Sequence, residues 1–241
     1  MLYVRSVLFL IIFFAVLYPL LTLACVFIFT TPRSFYVKMP YYWSGCLLWV
    51  LRVVAGIRYE VRGQENMIPG QTVLCVSKHQ SAWETLAFNY LFRDPCYVVK
   101  RETLFLPPFG CFLAALNMIP IKREEGLKSL RQMVQKAKSI IPSGRPIIIY
   151  PEGTRTKAGV RSTYKNGVYL LYQQCNIPVV PIALNSGCFW AKHSLIKHPG
   201  TVVLEFFPAI APGLDKDTFM QRLESTIEDA SQTLYEEARH A

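Results

Sequence analysis

From Val7 to Phe29 the chain runs through 23 residues without a charge, bounded by Arg5 on one side and by Arg33 and Lys38 on the other. A run of that length suffices to cross the hydrocarbon core of a bilayer as a helix. A removable signal peptide fits it less well. The run is long for an h-region, Pro19 lies in its middle, and no small-residue cleavage site leads into a polar start. A second apolar stretch, Tyr41 to Ile57, holds Tyr41, Tyr42, Trp43 and Trp49 and is interrupted by Arg52, a mixture suited to the headgroup level. The expectation is a two-helix membrane anchor over residues 1–57, crossing as a hairpin or embedded in one leaflet, with residues 58–241 as an α/β domain on the cytoplasmic side. Basic residues flank both ends of the first run, so the positive-inside rule does not separate the two anchor geometries.

Composition narrows the partners. Charged residues make up only 17% of the chain, against about 25% in ordinary soluble domains, and the net charge is +10. Such a balance suits an anionic partner such as a membrane surface, a phosphorylated substrate or nucleic acid, and the apolar bias favours membrane over nucleic acid. The seven cysteines have no C-x2-C spacing and lie mostly in apolar runs. They read as reduced, buried small hydrophobes of a cytosol-facing protein, with neither a disulfide frame nor a metal site.

Beyond residue 57 strands and helices alternate. Arg58 to Arg62 has the polar–apolar alternation of a half-buried strand, Pro69-Gly70 marks a turn, and Thr72 to Ser77 is an apolar strand. Trp83 to Phe92 reads as a helix stopped near Asp94-Pro95, and Cys96 to Val99 as a strand. Gly126 to Ile141 is an amphipathic helix, and Ile147 to Tyr150 is the continuous apolar run of a buried parallel strand. Gly167 to Gln174 reads as helix and Ile177 to Leu184 as a strand whose prolines suggest an edge or a bulge. Thr201 to Phe207 and Asp217 to Ala238 supply a last strand and a closing helix. The fold class is α/β, a mixed sheet flanked by helices. Between them, Leu104 to Leu116 is apolar but broken by Pro107, Pro108 and Gly110, which predicts a loop and a short helix lining an alkyl slot, facing the membrane, or packed in the core. Residues 188–199, with Trp190, Lys192, His193, Lys197 and His198, read as an exposed basic loop.

The ends of the strands carry the chemistry. Lys78-His79-Gln80-Ser81-Ala82-Trp83-Glu84 follows the strand Thr72 to Ser77, at the C-terminal sheet edge where open α/β sheets bind ligands. Five residues of ideal helix turn about 500°, so His79 and Glu84 share no helical face and His79 is expected before the first turn. A carboxylate that holds an imidazole makes it a general base. Pro151-Glu152-Gly153-Thr154-Arg155 follows the strand Ile147 to Tyr150. There Gly153 admits close backbone approach, Thr154 offers a hydroxyl, and Arg155 can fork onto a phosphate. Lys122 and Arg123 follow another strand-like segment. Alone, H-x4-E also fits an exposed histidine near a helix start, and E-G-T-R a turn held by an internal ion pair.

Together, four blocks in this order resemble the 1-acylglycerol-3-phosphate acyltransferases (lysophosphatidic acid acyltransferases) of the glycerolipid acyltransferase superfamily. His79 to Glu84 resembles the H-x4-D block, and Ile119-Pro120-Ile121-Lys122-Arg123 the second block. Pro151 to Arg155 is similar to the third, and Val180-Pro181-Ile182-Ala183-Leu184 to the proline-centred fourth. Glu84 stands where aspartate is usual and Lys78 where asparagine is common, the latter making the surroundings of His79 more cationic. The resemblance implies a glycerolipid acyltransferase-like fold, His79 and Glu84 as catalytic pair, and Arg155, Arg123 and Lys122 as phosphate-binding residues. Glu152, Gly153, Thr154 and Pro181 support them. It also implies acyl transfer to the sn-2 hydroxyl of lysophosphatidic acid from acyl-CoA or acyl carrier protein, at the cytoplasmic membrane, with no cofactor and no metal. No G-x-S-x-G elbow is present, so no acyl-enzyme is implied. Alternatives are acylation of another lyso-lipid or of glycerol 3-phosphate, or a non-catalytic lipid-binding scaffold.

Overall fold

The chain opens with α1 (Leu2–Thr30), a single turn α2 (Arg33–Tyr36), and α3 (Met39–Val50), which unwinds through a wider turn, Leu51–Ala55, to Gly56 in the left-handed region. The computed structural model describes residues 1–68 and 70–240, with the backbone alone at Arg123. Elements then alternate: β1 (Ile57–Arg62), β2 (Leu74–Ser77), α4 (Trp83–Phe92), β3 (Cys96–Lys100), α5 (Phe109–Ala115), β4 (Ile119–Ile121), α6 (Gly126–Ile140), β5 (Ile147–Ile149), α7 (Gly167–Cys175), β6 (Val179–Leu184), β7 (Gly200–Phe206) and α8 (Lys216–His240). Pro69, expected in a turn, lies outside the described residues.

One mixed sheet has the order β1-β7-β6-β2-β5-β3-β4. Neighbours run parallel except β6 and β7. β2 lies in the middle, with Cys75 between Ile148 of β5 and Val180 of β6, and all of its residues are buried. Burial on both faces is why β2 and β5 are continuous apolar runs instead of alternating ones.

Strand β6 is not an edge, and of the two readings its prolines suggest the irregular pairing is the one found. It lies between β2 and β7. The missing N–H of Pro181 falls at a break in the pairing: Ile182 lies opposite Phe206 but Val179 bridges Ile210, one extra residue on the β7 side, and the Pro181 carbonyl accepts the Phe207 N–H at 3.0 Å. Proline is tolerated inside a sheet where no ladder bond asks for its donor.

The two apolar N-terminal segments part company in the structure. α3 packs on α4, burying Trp43, Leu47 and Leu51 in the main core, each worth about 1.5–3 kcal/mol. α1 buries only Ser6, Phe9, Leu21 and Ala24. Val4, Leu8, Ile11, Phe14, Tyr18 and Val26 recur at helical spacing and stay exposed, an apolar stripe with no protein against it. α1 is the one helix among the described residues long and apolar enough to cross a membrane.

The segment around α5 is core for the most part. Phe112, Leu113 and Leu116 are buried, while Phe105 and Leu106 protrude. Gly110 is required there, because a Cβ would come within 2.0 Å of the Leu104 carbonyl oxygen. All seven cysteines are unpaired; Cys75, Cys96 and Cys175 are buried, but Cys46 and Cys111 are exposed, so burial does not hold for the whole set.

Candidate active site

β2 ends at Ser77, and the next residues cross the C-terminal edge of the sheet before α4 begins at Trp83. His79 therefore precedes the helix and Glu84 sits in its first turn, which resolves the awkward spacing. His79 Nδ1 lies 2.9 Å from Glu84 Oε1. The same oxygen accepts the backbone N–H groups of Gln80 and Ser81, each at 2.7 Å, and Glu84 Oε2 accepts Ser186 Oγ at 2.8 Å. The carboxylate thus closes the donors at the helix start and sits where the helix dipole favours negative charge. A carboxylate has no proton to give, so Nδ1 carries the hydrogen and Nε2 keeps the free lone pair of a base. The Glu84 side chain is 0% exposed and that of His79 18%. The carboxylate is dry while the imidazole reaches the surface.

Two residues overlooked in the sequence complete this centre. Tyr150 stacks on the His79 ring, centroids 3.8 Å apart and planes 12° apart. Burial first, then the charge of Glu84, holds its phenol well above the ordinary tyrosine range, so it is a neutral wall. Ser186 stands two residues beyond the end of β6, and its position at a strand's C-terminal end was the signal that could have found it.

The E-G-T-R segment lies against His79. Gly153 has φ 71°, a left-handed turn in which its N–H donates to the Tyr150 carbonyl at 3.0 Å. Glu152 Oε1 accepts the His79 N–H at 3.2 Å, and Thr156 donates to the His79 carbonyl from N (2.7 Å) and Oγ1 (3.1 Å). The segment is held by Glu152 to the histidine backbone, and Arg155 is absent from the ion pairs of the described residues. It is half-buried beside the base, in the electrostatic reach of Tyr150.

The other predicted cations fare differently. Lys122 follows β4 at the outer edge of the sheet, and its Nζ pairs with Glu125 at 2.9 Å. Three strand spacings separate β4 from β2, about 14 Å. Arg123 follows it in the backbone, and its side chain lies outside the described residues. Lys78 does not add charge around the imidazole as expected: it points away into the interior, its Nζ bonded to both oxygens of Glu228 at 2.6 and 2.7 Å.

The loop 188–199 is not simply an exposed basic loop. Lys197 is 1% exposed, its ammonium over the ring of Trp190 at 5.1 Å and that of Phe9 at 6.0 Å. Its N–H donates to Ser6 Oγ at 2.8 Å, so α1 clamps this loop. Lys192, on the same loop, reaches Thr154 Oγ1 (3.3 Å) and the Arg155 carbonyl (3.2 Å) and adds a second cation to the E-G-T-R segment.

Fold and site together define a mixed-sheet α/β protein with a carboxylate-held histidine at the mouth of its central strand and a cation on the neighbouring strand's loop. The chain belongs to the acyltransferase family, whose model matches residues 58–185. It is 40% identical over 168 residues to the 1-acyl-sn-glycerol-3-phosphate acyltransferase of Pseudomonas aeruginosa, covering 70% of this chain and 65% of that protein. It is 30% identical over 177 residues to the alpha form from Mus musculus, covering 71% and 61%. The chain thus spans slightly less than two thirds of the length of these relatives. Its fold is that of the crystal structure of the 1-acyl-sn-glycerophosphate (LPA) acyltransferase PlsC from Thermotoga maritima, with TM-score 0.78 at 18% identity, covering 97% of this chain and 95% of that one.

Proposed function

We propose that the chain transfers an acyl group from acyl-CoA or acyl carrier protein to the sn-2 hydroxyl of 1-acylglycerol 3-phosphate, forming phosphatidic acid. The observation that carries this reading is the 2.9 Å bond between His79 Nδ1 and the buried Glu84 carboxylate, beside a loop whose cation Arg155 joins none of the ion pairs among the described residues. Relatives named for this reaction support it. Nε2 of His79 takes the hydroxyl proton as the oxygen attacks the thioester carbonyl. Glu84 stabilises the imidazolium that forms. The tetrahedral intermediate collapses, the thiolate leaves, and the imidazolium returns its proton to the sulfur. Arg155 holds the phosphate with Lys192, and Lys122 and Arg123 remain further phosphate-binding candidates from the family resemblance. Gly153, Thr154 and Glu152 shape that loop, and Pro181 belongs to the strand that delivers Ser186.

Helix α1 attaches the enzyme to the cytoplasmic membrane, its exposed stripe meeting lipid, so that an acceptor already in the bilayer reaches His79 from the cytoplasmic side. The test offers purified membranes a panel of lyso-acceptors and glycerol 3-phosphate with labelled acyl-CoA or acyl carrier protein. Phosphatidic acid from lysophosphatidic acid, abolished in a folded His79→Ala variant, is expected. Product from a different acceptor would reassign the substrate, no product with any pair would favour a scaffold, and near-normal transfer by His79→Ala would remove the base.

A further inference from the structure

The peptide of His79 is gripped from both sides by the segment after β5: its N–H by Glu152 and its carbonyl by Thr156. That segment is fastened in turn to α8, which lies beyond the residues matched by the family model. Glu228 of α8 receives four hydrogen bonds from three donors. Lys78 Nζ approaches both of its oxygens, Tyr164 Oη donates to Oε1 at 2.9 Å, and the Ser162 N–H donates to Oε2 at 3.3 Å. Lys78 Nζ also bonds the Val160 carbonyl at 3.2 Å and stands 3.8 Å from Glu152 Oε1, the oxygen that takes the His79 N–H. The side chains of Lys78, Glu152 and Glu228 are 1%, 2% and 5% exposed.

A buried ion pair is a weak source of stability, because desolvation offsets most of the attraction; its better-attested use is to select one geometry. Here the selected geometry belongs to the residue next to the base. We propose that Glu228 of α8 is a positioning residue for His79, acting through Lys78 and the Glu152 carboxylate that Lys78 and the His79 N–H share. The inference rests on His79 as the general base, and it brings the C-terminal helix into the active site's support. One lysine facing two carboxylates leaves Glu152 incompletely neutralised. Burial, only partly countered by Lys78, raises its carboxyl to about 7.

The full chain in detergent micelles serves for the test. Glu228→Ala strands the Lys78 charge in the interior and lowers the melting temperature on the order of 10 °C, which would confuse the reading. The informative variant is the double replacement Lys78→Met with Glu228→Gln, which removes both charges. It is expected to melt within a few degrees of wild type, yet to lose about tenfold or more in kcat with acceptor KM within about twofold, the pattern of a lost transition-state alignment. The downfield NMR signal of the His79 Nδ1 proton is expected to shift or broaden in the same variant. A stable double variant with wild-type kcat and an unmoved proton signal overturns the proposal. If the double variant does not fold, Glu228→Asp keeps the charge and shortens the reach. Its folded form is expected to lose about threefold or more in kcat at unchanged KM, and an unchanged kcat overturns the proposal equally. The proton signal needs no turnover, so failure of the acyl-transfer reading is separable from failure of the brace.

Discussion

Replacing Glu84 by glutamine isolates what the carboxylate charge contributes. Oε1 accepts three N–H groups, from His79, Gln80 and Ser81, whereas Oε2 accepts only the Ser186 hydroxyl. A glutamine amide must therefore place its oxygen at Oε1 and its NH2 toward Ser186, whose hydroxyl rotates to accept. Every buried group stays satisfied and the imidazole keeps its tautomer, so the fold is expected to melt within a few degrees of wild type. What disappears is the charge that stabilises the imidazolium. A hydrogen bond to an ion exceeds a neutral one by about 1–2 kcal/mol, and the Coulomb attraction at about 4 Å with an effective dielectric of 20 is about 4 kcal/mol. The expected loss in kcat lies between these limits, on the order of ten- to thousandfold. Glu84→Ala is a poorer probe, since it orphans the Gln80 and Ser81 donors at about 1–3 kcal/mol each and so unsettles α4. The assay is labelled acyl transfer under saturating acceptor, with thermal melts of the same preparations. A Glu84→Gln enzyme within threefold of wild type would show the charge to be idle. A large melting loss in that variant would show that its role is in the fold. Glu84→Asp retains the charge at the length usual in the resembling family, and substantial activity is expected of it.

Two other perturbations bear on the neighbouring groups. Arg155→Ala should raise KM for lysophosphatidic acid about ten- to hundredfold and Lys192→Met about three- to tenfold, with little effect on a neutral 1-acylglycerol acceptor. An effect confined to the thioester donor would refute the phosphate assignment. Glu152 is raised from 4.5 to about 7 mainly by burial, so the folded state holds its proton more tightly than the unfolded chain between those values. Its contribution to stability is complete below about pH 4.5 and is lost as pH rises through about 7, up to about 3 kcal/mol. Denaturant melts at pH 5 and pH 8 should show that loss in the wild type and a smaller one in Glu152→Gln; equal losses would mean that another group carries the proton.

Much of the sheet was legible because burial on both faces leaves a one-dimensional mark: Leu74 to Val76 and Ile147 to Ile149 are apolar without interruption, and turns bound them. Strand order is a different matter. The prolines of β6 suggest an edge or a bulge, and the strand is internal with a one-residue register break opposite Pro181, which depends on how the chain at and after β7 pairs with it. Cations are the least legible group, because sequence records a charge and not its partner. Lys122 is expected to meet phosphate and is found with Glu125; Lys78 is expected near the imidazole and is found under α8.

By itself the sequence determined the alternation of strands and helices, the apolar character of α1, and the presence of a histidine and a carboxylate at the end of a central strand. These follow from local periodicity and from residue type. Only the tertiary structure decided that Glu84 Oε1 serves His79 and two backbone donors at once, that Tyr150, Ser186 and Lys192 join the centre, and that Glu228 holds Lys78 from 150 residues away. Such contacts arise where separate strand ends and helix faces converge, and no period or spacing along one chain encodes that convergence.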